Sequence, residues 1–372
     1  MRGNKILGIV FPNVHDELMG ELTERRSMGS VPFCGRYRLI DFSLSNLVNA
    51  GISTVGIVTK SNYQSLMDHI GTGKAWDLDR KSGGLFFLPP YSNNDAKIYK
   101  GHLDGLAGAM HFLKSSKLEY VVLCDADVIS NFDLSDMIKK HIESGADATI
   151  AYKKGKMPLN HHDVMAFTLD GDKITDIAFG APDLDNCCFS LDITVMSREK
   201  LIEIVQYGYE YNLTSLSRDI FQKAYNALDM RGYEVESYAA VMDSPESYAR
   251  ITAEVVGNPE IRKQLFSSER PVFTKIRDDM PALYGLDSSV KNSLVADGCV
   301  IEGTVKNSVL FRGVKVGKNA VVENSIIMQD SVIMENSEVQ YVTLDKKVTV
   351  DAGKTLRGTA VYPIYVRKGA KV

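Results

Sequence analysis

Apolar residues run along this chain in two different rhythms. Up to about residue 245, short β-branched runs alternate with longer amphipathic ones. Ile6–Phe11, Thr54–Thr59, Tyr120–Cys124 and Ala148–Tyr152 are continuous apolar runs of the kind buried on both faces of a sheet. Between them, residues 63–70, 105–114 and 134–144 carry apolar side chains at helical spacing. Strand and helix in alternation predict crossover units, and so a doubly wound, mostly parallel α/β sheet. Ligands on such a sheet sit beyond the carboxyl ends of the strands. Asp125 and Asp127, just past the third of these strands, are therefore placed where chemistry can occur.

From about Val290 the rhythm changes. Asn292-Ser-Leu-Val, Asn307-Ser-Val-Leu and Asn324-Ser-Ile-Ile repeat one phrase, 15 and 17 residues apart, with finer echoes at Ser331-Val-Ile and Ser337-Glu-Val. Short apolar pairs separated by Gly, Asn and Asp are the pattern of a hexapeptide β-helix, in which three hexads make one triangular coil. Recurrence of the phrase favours this over an antiparallel sandwich of short strands. The layout expected is an α/β domain over 1–245, a connector over 246–286 containing a helix near Ser247–Val256, and a β-helix over 287–372.

Composition narrows the function classes. The chain has 372 residues, 44% hydrophobic and 24% charged, enough for two domains or three, and unlike a disordered or fibrous protein. A net charge of −4 argues against a general nucleic-acid or membrane-surface binder. No apolar stretch approaches the ~20 residues of a bilayer span. The apolar start, Lys5–Phe11, is too short for a signal segment and runs into Pro12, Asn13 and Asp16. Five Cys without metal-ligand spacing read as reduced thiols, the adjacent Cys187 and Cys188 included. A cytoplasmic location is expected.

The stretch Thr23-Glu-Arg-Arg-Ser-Met-Gly-Ser-Val-Pro-Phe-Cys-Gly-Arg-Tyr-Arg-Leu-Ile-Asp-Phe-Ser-Leu-Ser-Asn46, followed by Asn49-Ala-Gly-Ile52, closely resembles the start of bacterial glucose-1-phosphate adenylyltransferase (ADP-glucose pyrophosphorylase). Val121–Asp127 is similar to that family's strand ending in Gly-Asp-His. Tyr248 lies in a stretch like the family's Trp-Lys-Asp-Val-Gly-Thr and following Ser-Tyr, and the hexapeptide tail matches its second domain. The resemblance covers nearly the whole chain. It implies a nucleotidyltransferase-like α/β domain and a left-handed parallel β-helix.

The departures concern catalysis. Where the family has a Gly-Gly-x-Gly-Thr-Arg loop, whose backbone cradles phosphates, this chain has Asn13, Val14, His15, Asp16, Glu17 and Leu18. Leu18 replaces the family's Arg and Met28 a conserved-motif Lys, while Gly180-Ala-Pro182 stands at the family's Glu-Lys-Pro and Gly105–Ala109 at its Gly-Thr-Ala-Asp-Ala. Of the two Asp that hold Mg²⁺ in the family, Asp127 is retained. The other position is Val241, with Asp243 two residues on. Each such loss commonly costs ~10²–10³ in rate. The resemblance therefore implies no catalytic residues here, only a vestigial pocket at Asp127 and Asp243. Mg²⁺ and ATP are implied only for a catalytic partner.

What is retained is basic. Arg25, Arg26, Arg36 and Arg38 match the family's cations, which in relatives help bind phosphate or sugar-phosphate effectors between the domains. A solvated loop or an inter-subunit salt-bridge patch would use the same residues. Asp125 and Asp127 suit either a metal or the capping of a helix. His161 and His162 read as a polar loop rather than a metal pair, since no third ligand is near in sequence, and Trp76 reads as a packing anchor. The expected function is a D-type, regulatory, non-catalytic subunit that joins a catalytic subunit in a hetero-tetramer for ADP-glucose synthesis. The alternatives are an active enzyme in which Asp127 and Asp243 share Mg²⁺, and a stand-alone sugar-phosphate sensor.

Overall fold

The computed structural model describes residues 5–90, 99–158, 160–161, 163–180 and 185–372. A nine-stranded sheet is built from β1 (Ile6–Phe11), β2 (Thr54–Val58), β3 (Gly84–Leu88), β4 (Tyr120–Asp125), β5 (Ala148–Gly155), β6 (Met165–Asp170), β7 (Lys173–Phe179), β8 (Cys187–Ser197) and β9 (Met230–Glu234). Its strand order is β3-β2-β1-β4-β8-β5-β9-β7-β6. The first four of that order are parallel, as their apolar runs predict. Beyond them β8 runs antiparallel to both β4 and β5, and β5 and β9 are again parallel. The carboxyl ends of β1, β4 and β5 therefore point the same way.

The helices obey local rules. Leu134–Ser144 starts at Asp133, whose carboxylate accepts from the amides of Ser135 and Asp136, and ends at Gly145 in the left-handed region at φ 65°. It buries Leu134, Met137, Ile138 and His141, one stripe at helical spacing. The apolar pattern over 105–114 resolves into two short helices, His102–Gly108 and Met110–Ser115. Trp76 is buried against His69, with ring centres 5.9 Å apart, and serves as the packing anchor expected. Cys34, Cys124 and Cys299 are buried thiols.

Two helices, Pro245–Gly257 and Pro259–Leu265, and an extended stretch lead into the second domain. Three parallel five-stranded sheets form a β-helix that starts at Leu283–Tyr284 and closes with Ile364–Val366. Three columns fill its interior: Ile301, Val316, Ile333 and Val350; Val305, Val322 and Val339; Leu310, Ile327 and Leu344. The repeated Asn-Ser phrase lies at one corner. Asn292, Asn307 and Asn324 all take φ between 44° and 49°, a conformation that Asn tolerates better than most residues. Their amides form a ladder, Asn292 Nδ2 donating to Asn307 Oδ1 at 2.9 Å and Asn307 Nδ2 to Asn324 Oδ1 at 3.2 Å.

The two domains share a core. Met19, Leu22, Phe33 and Tyr248 from the first half pack with Val309, Phe311, Ile326 and Met328 of the β-helix. The Tyr248 hydroxyl donates to the carbonyl of Pro32 at 2.7 Å, locking the connector helix to the N-terminal segment.

Candidate functional site

The carboxyl ends of β1, β4 and β5 converge on a cluster of His and Asp. Phe11 and Asp125 are register partners, so the loop after β1 lies over the end of β4. From that loop His15 Nε2 meets Asp125 Oδ2 at 3.0 Å. His102, the first residue of its helix, places Nε2 2.9 Å from both Asp125 oxygens. The loop after β5 carries His161, whose Nε2 is 3.2 Å from Asp127 Oδ2 and whose ring centre lies 4.1 Å from that of His15, the planes tilted by 54°. Asp127 is 1% and His161 2% exposed. Burial opposes charge on His102, but the Asp125 carboxylate outweighs it and raises the imidazole to about 9. Burial likewise opposes charge on His161, and its hydrogen bond to Asp127 raises it to about 9. Asp125, burial notwithstanding, is held well below the usual carboxylate range by His102 and His15. Charge is thus balanced inside the cluster by the protein's own groups.

The loop over β1 is closed on itself. Asp16 Oδ1 accepts from the amide of Met28 at 2.6 Å, and Asp16 Oδ2 from Asn13 Nδ2 at 2.9 Å. Burial raises the Asp16 carboxyl to about 6, against the lowering effect of those hydrogen bonds. Glu17 faces solvent.

A second site lies between the domains. A cavity of about 400 Å³ is lined by Arg36 and Arg38, by Lys275 and Arg277 of the connector, and by Arg312 and Lys346 of the β-helix, with Asp68, His69, Gln329 and Phe311. Arg312 is 6% exposed, and its Nε has no hydrogen-bond partner among the described residues. Burial, followed by the charges of Arg38 and Arg26, pushes the Lys346 ammonium down to about 7. Burial also lowers Arg38 to about 10. Six cations around one cavity leave it short of negative charge.

Comparison with known proteins assigns the chain to a family. The Nucleotidyl transferase family model matches residues 19–176, and the GlmU-like, C-terminal hexapeptide model matches residues 282–358. The chain is 37% identical over 370 residues to the glycogen biosynthesis protein GlgD of Bacillus subtilis (strain 168), covering 99% of this chain and 97% of the relative. It belongs to the GlgD-type branch of the glucose-1-phosphate adenylyltransferase family. GlgD of Geobacillus stearothermophilus is also 37% identical, over 378 residues, 98% of this chain and 97% of that protein. The glucose-1-phosphate adenylyltransferase of Pseudothermotoga lettingae is 32% identical over 322 residues, 86% of this chain and 76% of that enzyme. The C-terminal unit is accordingly the left-handed parallel β-helix of hexapeptide proteins.

In the frame of the adenylyltransferase family, the positions that differ are put to other uses. The Met28 side chain lies in the core shared by the two domains. Asp243 is buried, accepts from the amide of Asn160 at 3.0 Å and from the Ser244 hydroxyl at 3.3 Å, and so anchors the loop that delivers His161. Mg²⁺ needs an octahedral shell of oxygens and several waters. With imidazoles on Asp125 and Asp127, and Asp243 tied to Asn160 and Ser244, the residues present do not fit it. Ala181, Pro182 and His162 lie outside the described residues.

The four arginines separate. Arg36 and Arg38 line the interdomain cavity, and Arg38 Nη1 also donates to Ser65 O and Oγ at 2.6 and 2.9 Å. Arg26 is 3% exposed, and its Nη2 lies 2.7 Å from both Asp345 oxygens. Arg25 is exposed on a neighbouring cleft with Glu21, Glu24 and Lys368. Sequence reasoning missed Lys275, Arg277, Arg312 and Lys346, which stand far from the arginines in the chain. It placed His161 in a polar loop, where the structure also has it, but missed its burial against Asp127. No helix among the described residues is long and apolar enough to cross a membrane.

Proposed function

We propose that this chain serves glycogen biosynthesis as a non-catalytic, regulatory subunit of glucose-1-phosphate adenylyltransferase. In this role it assembles with a catalytic subunit and modulates ADP-glucose synthesis. The observation that carries the reading is the His15–Asp125–His102 and His161–Asp127 pairing at the strand ends, which sets an imidazole against each carboxylate where metal and phosphates would act. Phosphoryl chemistry depends on positioning and on cations placed against developing charge. Leu18 and Met28 supply none. The D-type relatives at 37% identity over nearly the full length support the same branch.

The interdomain cavity is the effector site in this reading. Its cations suit a phosphate or sugar phosphate, whose oxygens match guanidinium forks. An anion there bridges connector, α/β domain and β-helix. It thereby biases the geometry offered to a partner subunit, a coupling free energy between sites.

The test is ADP-glucose synthesis by the purified chain, by the catalytic subunit and by their mixture, with and without sugar phosphates. No activity alone and a changed rate in the mixture are expected. Robust synthesis by the chain alone, or a mixture that merely equals the catalytic subunit, refutes the proposal.

A further inference from the structure

The vacated catalytic position holds a donor set that the family's Mg²⁺ chemistry does not call for. Two overlapping triads, His15–His102–Asp125 and His15–Asp127–His161, each bring their ligand atoms within 4.8 Å of one another. They come from loops, a helix start and a strand end, and share His15. Within the second triad, the 3.2 Å separation of His161 Nε2 from Asp127 Oδ2 lies close to the roughly 3.3 Å edge of a tetrahedron with ~2.0 Å metal–ligand bonds. Asp127 and His161, more than nine-tenths buried, each keep one polar atom, Oδ1 and Nδ1, with no hydrogen-bond partner among the described residues. A buried donor or acceptor left unmade costs free energy. Its presence twice in one cluster marks a site lacking a ligand. His102 is less deeply buried than the rest and gives the cluster an edge toward solvent.

We propose that this cluster binds one divalent transition-metal ion of the zinc type, held by His15 and His161 with Asp127, and closed by the His102–Asp125 pair. Imidazole nitrogen selects such ions over Mg²⁺ and Ca²⁺, which take oxygen. Binding exchanges protons for metal: the imidazoles coordinate as neutral ligands and release any proton they carry. No redox step is involved. The ion would staple the loops after β1 and β5 across the old active site, giving a structural role to a position that no longer performs transfer. This claim stands whether or not the chain regulates a partner.

The experiment titrates chelator-treated, full-length protein with Zn²⁺ by calorimetry, and with Co²⁺ by visible absorption. One ion per chain is expected, with a raised melting temperature and no displacement by millimolar Mg²⁺. His15→Ala combined with His161→Gln should weaken binding by more than the ~10–100-fold that an outer-shell partner contributes. His111→Ala, at an exposed histidine elsewhere, should leave it unchanged. Should the double variant not fold, zinc-edge X-ray absorption of the wild-type complex decides: two or more imidazole ligands support the site, and an all-oxygen or sulfur shell overturns it. Absence of stoichiometric Zn²⁺ or Co²⁺ binding, binding unchanged in a folded double variant, or preference for Mg²⁺ also overturns it.

Discussion

Arg26 and Asp345 join the two domains through a buried ion pair, Nη2 lying 2.7 Å from both carboxylate oxygens. The carboxylate also accepts from the Tyr365 hydroxyl and from the amide of Lys346, both at 2.7 Å, and Arg26 Nη1 touches the sulfur of Met328 at 3.8 Å. Removing one member of such a pair strands the other in a dry interior. Asp345→Ala should therefore lower stability by ~3–5 kcal/mol in urea denaturation. Arg26→Met should cost less, because Asp345 keeps two hydrogen-bond donors and the methionine stem retains the packing. Equal losses would mean that the pair is not the seam of the domain junction.

The asparagine ladder makes a separate prediction for the β-helix. At φ 47°, Asn307 occupies backbone space that a Cβ-bearing residue without a local polar group enters at roughly 1–2 kcal/mol. Its two amide hydrogen bonds face solvent and add little. Asn307→Ala should destabilise by about that amount, and Asn307→Gly should recover much of the loss, since glycine is free of the steric term. Thermal melting of the two variants separates backbone conformation from the ladder: if Gly is as costly as Ala, the hydrogen bonds carry the effect.

Those contrasts show which parts of the molecule sequence could express. Leu134–Ser144 was legible with its bounds because cap, stripe and glycine stop all lie within a dozen residues. The β-helix was legible because each coil repeats the same corner. Strands β3, β6, β7, β8 and β9 were not picked out: exposed residues interrupt β6 and β7, and the polar Ser190 and Asp192 interrupt the apolar run of β8. The histidine cluster escaped for a topological reason. His15 and His161 sit in two loops and His102 at the start of a helix, three places that only the strand order brings together, and no spacing rule links them. Arg26 and Arg38 were visible as cations, but whether a guanidinium faces a cavity or Asp345 is decided by residues some 300 positions away.

His141 contributes a pH dependence whose sign follows from burial. Its imidazole is pushed down to about 4 by burial, while Nδ1 pairs with Thr149 Oγ1 at 2.8 Å. In the unfolded chain it titrates near its ordinary 6.5. Between those values the unfolded state binds the extra proton, so stability is lost as pH falls from about 6.5 toward 4. His69, also lowered by burial, acts in the same direction. His141→Gln should flatten part of this slope in denaturation curves taken from pH 7 to 4, and an unchanged slope would show that the ring is protonated in the folded state.

If the interdomain cavity binds an anion as proposed, Lys346 should link that binding to proton uptake. In the free protein its ammonium is held down to about 7 by burial and by Arg38 and Arg26, with Lys368 adding to them and Asp345 opposing. Arg36, Lys275, Arg277 and Arg312 also line the cavity, facing Asp68 and His69. A bound anion favours the charged amine and raises its pKa. Affinity is therefore greatest where Lys346 is already protonated and declines as pH rises above 7, by at most about tenfold per unit for one linked proton. Sulfate is the suitable probe, because it does not itself titrate in this range. Calorimetry at pH 6.5, 7.5 and 8.5, repeated in buffers of different ionisation enthalpy, should show weakening with proton uptake, and Lys346→Met should bind more weakly with a flat pH profile. An equal pH dependence in wild type and variant would place the linked proton elsewhere.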